Sequence, residues 1–224
     1  MIVNNIKFYL DSFVDSKRTF KVRQSKNYSV IVTDTGKKYM SNSNTKFGSG
    51  LFLFMMVKRD CQNFIKEYGL VEPHTELPVN YYNKNYDLDN KTIGIDINNA
   101  YWSIAYLKNY ITKKTFLRGL QSKEFKPIRL SALSSLGKPR VWKVYESGSH
   151  RRNEITEGNK ELQDVYLDIR YTTYAVMQEI ADALGKDFHS WKTDCVFFKE
   201  TKENKLLVET ILDGYCLEYK MEKL

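Results

Sequence analysis

The feature that most constrains this chain is a long amphipathic helix pattern running from Lys160 to Leu184. Apolar residues recur at Leu162, Val165, Tyr166, Ile169, Ala175, Val176, Ile180 and Leu184, and Gly185 ends the run. Strand patterns stand on either side of it. Ile93-Gly94-Ile95-Asp96-Ile97 is a short apolar strand, and Asn98 or Asn99 is placed to cap the helix that begins at Ala100. Phe188 to Phe198 reads as two short strands with a turn near Lys192-Thr193. Lys205 to Leu212 suits a helix ended by Gly214, and Tyr215 to Met221 is a closing strand. The order predicts an α+β architecture, an antiparallel sheet with helices on one face.

Residues 91–224 make up this domain, with a strongly basic insertion at about 112–158 broken by Gly119, Pro127, Gly137 and Pro139. Residues 1–90 read as an N-terminal, β-rich extension. Ile6–Leu10 and Tyr28–Val32 are β-type runs, Arg59 to Gly69 fits a short helix, and Glu72 to Asn90 is an irregular connection. The apolar run Gly50 to Val57 reads as a buried strand or helix. It is too short to cross a bilayer and lacks signal-peptide flanks, so no membrane partner is expected.

Among 224 residues, 35 basic against 27 acidic side chains leave a formal net charge of +8. Such a surplus favours polyanionic partners, because each Lys or Arg that meets a phosphate releases condensed counterions. The three cysteines, Cys61, Cys195 and Cys216, are odd in number and widely spaced. That is neither a disulfide framework nor a zinc site, and it suits a reducing cytoplasm.

Two carboxylates stand at strand ends. Asp96 lies at the end of an apolar strand and ahead of a helix, and Asp194 lies at a turn leading into Cys195-Val196-Phe197-Phe198. Turn and cap aspartates are common, but two acids on adjacent strands can also hold a pair of Mg²⁺ ions about 3.5–4 Å apart for phosphoryl transfer.

The residues around these acids resemble the palm of a family B DNA polymerase. Asp96-Ile97-Asn98-Asn99-Ala100-Tyr101-Trp102-Ser103 is similar to motif A, D-x-x-S-L-Y-P-S, in its acid, its Tyr and its final Ser. Lys192-Thr193-Asp194-Cys195-Val196-Phe197 is similar to motif C, D-T-D-S-V-F. The helix before motif C and the strand Leu217 to Lys223 after it complete a likeness over about residues 90–224. The resemblance implies nucleotidyl transfer with Mg²⁺ (or Mn²⁺) on Asp96 and Asp194, nucleoside triphosphate as substrate and DNA as template, with RNA as the alternative. Tyr101 resembles the gate that excludes a ribose 2′-hydroxyl.

The chain also departs from that pattern. Lys192 replaces the first acid of motif C, which puts an ammonium near the site as a phosphate contact. Motif B, K-x-x-x-N-S-x-Y-G, is kept only as Lys126 to Lys138, so Lys126, Arg129 and Lys138 are the alternatives for binding the triphosphate. Arg151 and Arg152 in the basic insertion are expected to meet nucleic acid. No exonuclease signature is found in residues 1–90, and the family's thumb has no counterpart before Leu224. The expectation is therefore a minimal or split polymerase completed by a thumb-bearing subunit or by homo-oligomerisation, in the cytoplasm, or the host cytoplasm for a phage or mobile element. Its alternative is a palm-derived nucleic-acid-binding or structural protein without catalysis.

Overall fold

In a computed structural model, which describes residues 19–24, 28–36, 38–42, 46–74, 76, 81–89, 91–147 and 149–223, the long helix pattern is continuous. It spans Lys160–Leu184 and is the fifth α-helix in chain order among the described residues, α5. Three strands come first: β1 (Thr19–Gln24), β2 (Tyr28–Thr33) and β3 (Lys38–Asn42). Helix α1 (Lys46–Tyr68) follows, then β4 (Thr92–Ile97) and α2 (Ala100–Leu107). The insertion supplies α3 (Lys113–Leu120), α4 (Lys126–Ser134), β5 (Arg140–Glu146) and β6 (Ser149–Thr156). The chain closes with α5 (Lys160–Leu184), β7 (Phe188–Lys192), β8 (Cys195–Lys199), α6 (Lys202–Gly214) and β9 (Tyr219–Lys223). The fold is α+β.

The sheet that carries Asp96 has the order β7-β8-β4-β9, antiparallel throughout. Strand geometry sends alternate residues of β4 to opposite faces. Ile93, Ile95 and Ile97 enter one core with Ile169, Val176 and Ile180 of α5 and with Phe188, Val196 and Phe198 of the hairpin. Gly94 and Asp96 face the other way. Helix α5 starts at Asn159, whose side chain accepts from the Leu162 amide at 2.7 Å, and ends at Gly185 with φ 53.

A second sheet has the order β3-β2-β1-β5-β6. Its central pairing joins β1 from the N-terminal extension to β5 from the insertion, with Phe20 opposite Tyr145 and their rings stacked at 5.3 Å. The run Tyr28–Val32 is β2, whereas Ile6–Leu10 lies outside the described residues. The helix expected over Arg59 to Gly69 begins much earlier, at Lys46, and absorbs the apolar run Gly50 to Val57. Leu53, Met56, Val57, Asp60 and Cys61 are buried at helical spacing, so the two segments share one continuous stripe. Gly69, at φ 96, ends it. Among the described residues, no helix is long and apolar enough to cross a membrane.

Two buried acids tie the helices together. Asp60 Oδ2 accepts from the Thr112 amide at 3.0 Å, the Thr112 hydroxyl at 2.7 Å and the Thr115 hydroxyl at 2.5 Å, which fastens α1 to the start of α3. Asp168 on α5 accepts from Tyr110 at 2.5 Å and pairs with Lys108 at 2.6 Å and His74 at 2.8 Å. It anchors the segment after α1 and the end of α2 to α5.

Gly119, in α3, gives a test of the packing. A Cβ there would lie 2.4 Å from Cζ2 of the buried Trp102 and 3.0 Å from Cδ of Arg129. Helix propensity alone favours Ala over Gly by up to about 1 kcal/mol. Overpacking against an indole that is 1% exposed costs about 1–3 kcal/mol and should win. Gly119→Ala is therefore expected to lower the urea midpoint, and a raised midpoint would show that the contact relaxes freely.

Candidate metal and nucleotide site

Asp96 takes its place from the register of β4. It lies opposite Cys195 on β8 and Lys220 on β9, and residues directly opposite each other in antiparallel strands share a face. Asp194 sits with Thr193 in the two-residue turn between β7 and β8. The Ile97 amide donates to the Asp194 carbonyl at 2.8 Å, which pins that turn onto the end of β4. Thr193 holds φ 58, a left-handed conformation that a β-branched residue adopts only under strain. The strain is held at the point where the second acid is presented.

The two carboxyls feel each other. Burial and the neighbouring Asp96 charge push the Asp194 carboxyl above its ordinary range, against an opposite pull from its own backbone amide and from Lys126 and Lys220. The Cys195 thiol is pushed up to about 12, first by burial and then by the charges of Asp96, Glu222 and Asp194. The ammonium that meets Asp96 belongs to Lys220, with Nζ 3.1 Å from Asp96 Oδ2 and 2.6 Å from Glu222 Oε1. Bonds to Glu222 and then to Asp96 raise the Lys220 pKa.

Among the described residues, no group of three or more His, Cys, Asp or Glu side chains is arranged to hold a metal ion. Two hard carboxylates and a tolerance for positive charge nonetheless suit Mg²⁺ or Mn²⁺. These ions take one or two protein carboxylates and complete their shells with water and substrate phosphates. Asp96 and Asp194 are the residues that would hold such an ion, at a place where the protein already keeps an ammonium.

The remaining candidates separate. Tyr101, on the first turn of α2, donates to the Tyr174 hydroxyl at 3.2 Å, and Arg170 donates to the same oxygen at 3.2 Å. Burial and the bond to Tyr174 raise the Tyr101 pKa. Asp194 acts electrostatically on Tyr174, so this row of side chains borders the acids. Lys126, exposed at the start of α4, is close enough to stabilise the Asp194 charge. Arg129 is 6% exposed and occupied structurally, donating to the Gly119 carbonyl at 2.5 Å and to the Asn99 side chain. Lys138 is exposed beyond α4, and Lys192 is exposed at the end of β7.

Arg151 and Arg152 lie on the exposed strand β6. Arg151 pairs with Glu146 at 3.6 Å, and Arg152 with Glu146 at 3.5 Å and Glu154 at 2.9 Å. These ion pairs offset part of the positive charge expected of that segment.

The capping expectation at Asn98 or Asn99 is corrected. Asn99 occupies the cap position but holds φ 53 and makes no side-chain cap bond. Its side chain turns to Arg129 instead, and its carbonyl accepts from the Trp102 and Ser103 amides. Arg129 thus braces the turn that follows Asp96, a positioning role that the sequence did not suggest. Lys220 and Glu222 were also missed as site residues. Their two-residue spacing puts them on one face of a strand, but only the pairing of β9 with β4 brings that face to Asp96.

Compared with known proteins, the chain matches no family model, and no curated protein and no solved structure matches it.

Proposed function

We propose that the chain is a metal-dependent nucleotidyltransferase of the polymerase-palm type, which adds nucleotides to a nucleic-acid 3′-hydroxyl along a template. The observation that carries this reading is the convergence of Asp96 and Asp194 at one sheet rim, where the Ile97 amide bonds the Asp194 carbonyl at 2.8 Å and where burial together with the Asp96 charge raises the Asp194 pKa. Bound Mg²⁺ or Mn²⁺ would supply charge for the phosphate oxygens and align the attacking hydroxyl. The chain's own contributions are separate from that chemistry. Asp96 and Asp194 hold the cation, Tyr101 presents a ring fixed by Tyr174 beside the sugar, and Lys126 meets the triphosphate. The +8 net charge attracts the template electrostatically. Partners are DNA and a nucleoside triphosphate, in the cytoplasm.

A palm-derived nucleic-acid-binding protein without catalysis is the second reading. The ion pair between Lys220 and Asp96 favours it, because an ammonium there competes with a metal for the same oxygens.

Mn²⁺ distinguishes the two. A ligand that binds only the folded state stabilises it by mass action, and for a chain of this size each kcal/mol moves Tm by about 2–4 °C. Millimolar Mn²⁺ is expected to raise Tm by a few degrees in the wild type and to leave Asp194→Asn unmoved. Absence of a shift in the wild type would favour the non-catalytic reading.

A further inference from the structure

The edge strand β9 carries two charged side chains on the face that holds Asp96. Register places Lys220 opposite Asp96 and Glu222 opposite Gly94, so both project to the side away from the helices. Gly94 offers no side chain to separate them. The Lys220 ammonium touches both carboxylates at once, 3.1 Å from Asp96 and 2.6 Å from Glu222. Lys220 and Glu222 are each about half exposed, at 53% and 43% of the side chain, whereas Asp96 is at 21%. The lysine is therefore free to swing on its stem while the acid it meets is held in place.

We propose that Lys220 is a resident counter-cation that occupies Asp96 until a divalent metal arrives and is then parked on Glu222. The inference rests on the same acid pair as the proposed function but concerns metal loading rather than chemistry. An Asp96–Asp194 pair left bare would place two like charges together at one sheet rim, where Asp96 lies opposite Cys195 and the Ile97 amide bonds the Asp194 carbonyl. Lys220 relieves that cost in the absence of metal. Arrival of the metal makes the ammonium a like-charged neighbour, and Glu222, already within hydrogen-bond distance, accepts it with little movement. Lys220 and Glu222 are positioning residues in this scheme, since neither touches the reacting atoms.

Mn²⁺ affinity, measured by titration calorimetry on the full chain, tests the proposal without reference to turnover. Lys220→Gln is expected to bind Mn²⁺ about fivefold more tightly, the factor that one unit charge produces at about 4 Å in water-like surroundings. Lys220→Arg keeps the charge and should stay within about twofold of the wild type. Glu222→Gln should weaken binding about threefold by leaving the ammonium on Asp96, and this effect should vanish in the Lys220→Gln background. An unchanged or weaker affinity in Lys220→Gln overturns the proposal. So does an equal Glu222→Gln effect in both backgrounds, which would mean that Glu222 acts on the metal directly. Failure of every variant to bind Mn²⁺ overturns it as well.

Primer extension run beside the titrations separates the two ideas. Mn²⁺ affinity that follows Lys220 without any incorporation supports metal loading and removes nucleotidyl transfer. Incorporation with an affinity indifferent to Lys220 does the reverse.

Discussion

Replacing Asp96 with alanine is expected to lower nucleotide incorporation on a primed template by about a thousandfold or more. A carboxylate that holds a catalytic metal supports several kcal/mol of transition-state stabilisation, and each 1.36 kcal/mol is worth about tenfold in rate. The same change should barely alter stability. The Asp96 side chain is partly exposed at the sheet rim, it is paired with the half-exposed Lys220, and exposed pairs contribute about 0–1 kcal/mol. Activity and folding therefore separate cleanly at this residue. Primer extension with radiolabelled or fluorescent primer, paired with thermal unfolding of the same preparation, reads both. Incorporation within tenfold of the wild type would remove Asp96 from the site. Equal loss of activity and of Tm would make it a structural residue.

Asp60→Ala should do the opposite and strike the fold. Asp60 is 4% exposed and its Oδ2 accepts three bonds from Thr112 and Thr115. Truncation leaves the fully buried Thr115 hydroxyl without its acceptor and opens a gap between α1 and α3, at a cost of about 3–5 kcal/mol. The effect has a pH signature. Burial works to raise the Asp60 pKa, but the bonds from Thr115 and Thr112 outweigh it and the folded-state value is lowered. The resulting stability is fully present above the unfolded-state value of about 4 and is lost as pH falls through the lower folded value. The gap between wild type and Asp60→Asn, measured by urea unfolding, should therefore narrow on acidification below about pH 4. A gap that stays constant through that range would mean that Asp60 is not the charged acceptor of this knot.

The two acids were legible for a local reason. Each is a carboxylate at a break in an apolar run, and both the run and the break are contiguous in sequence. The long helix was equally legible, because its stripe at Leu162, Val165, Ile169, Val176 and Ile180 repeats within a single segment. Helix α1 was read as two pieces, the apolar run Gly50 to Val57 and a short helix from Arg59 to Gly69, yet the buried stripe from Leu53 through Cys61 runs across their junction. Asp60 and Asp168 gave no signal. A charged residue on a helix ordinarily reads as solvated, and their partners, such as Thr112 with Thr115 or His74, are remote in sequence. Arg129 was weighed as a phosphate ligand through the motif B likeness of Lys126 to Lys138, and nothing local in that segment marks it as buried.

What the sequence by itself determined is the α+β class and the two short segments that present Asp96 and Asp194. Periodicity and turn chemistry act over a few residues and are written into the chain directly. What only the tertiary structure decided is the company these acids keep. The ammonium paired with Asp96 is that of Lys220, the turn after Asp96 is braced by Arg129, and β1 from the N-terminal extension pairs with β5 of the insertion. The physical reason is strand register. Which residue lies across from Asp96 depends on hydrogen bonding between segments distant in sequence, and a slip of one residue would turn Lys220 to the other face.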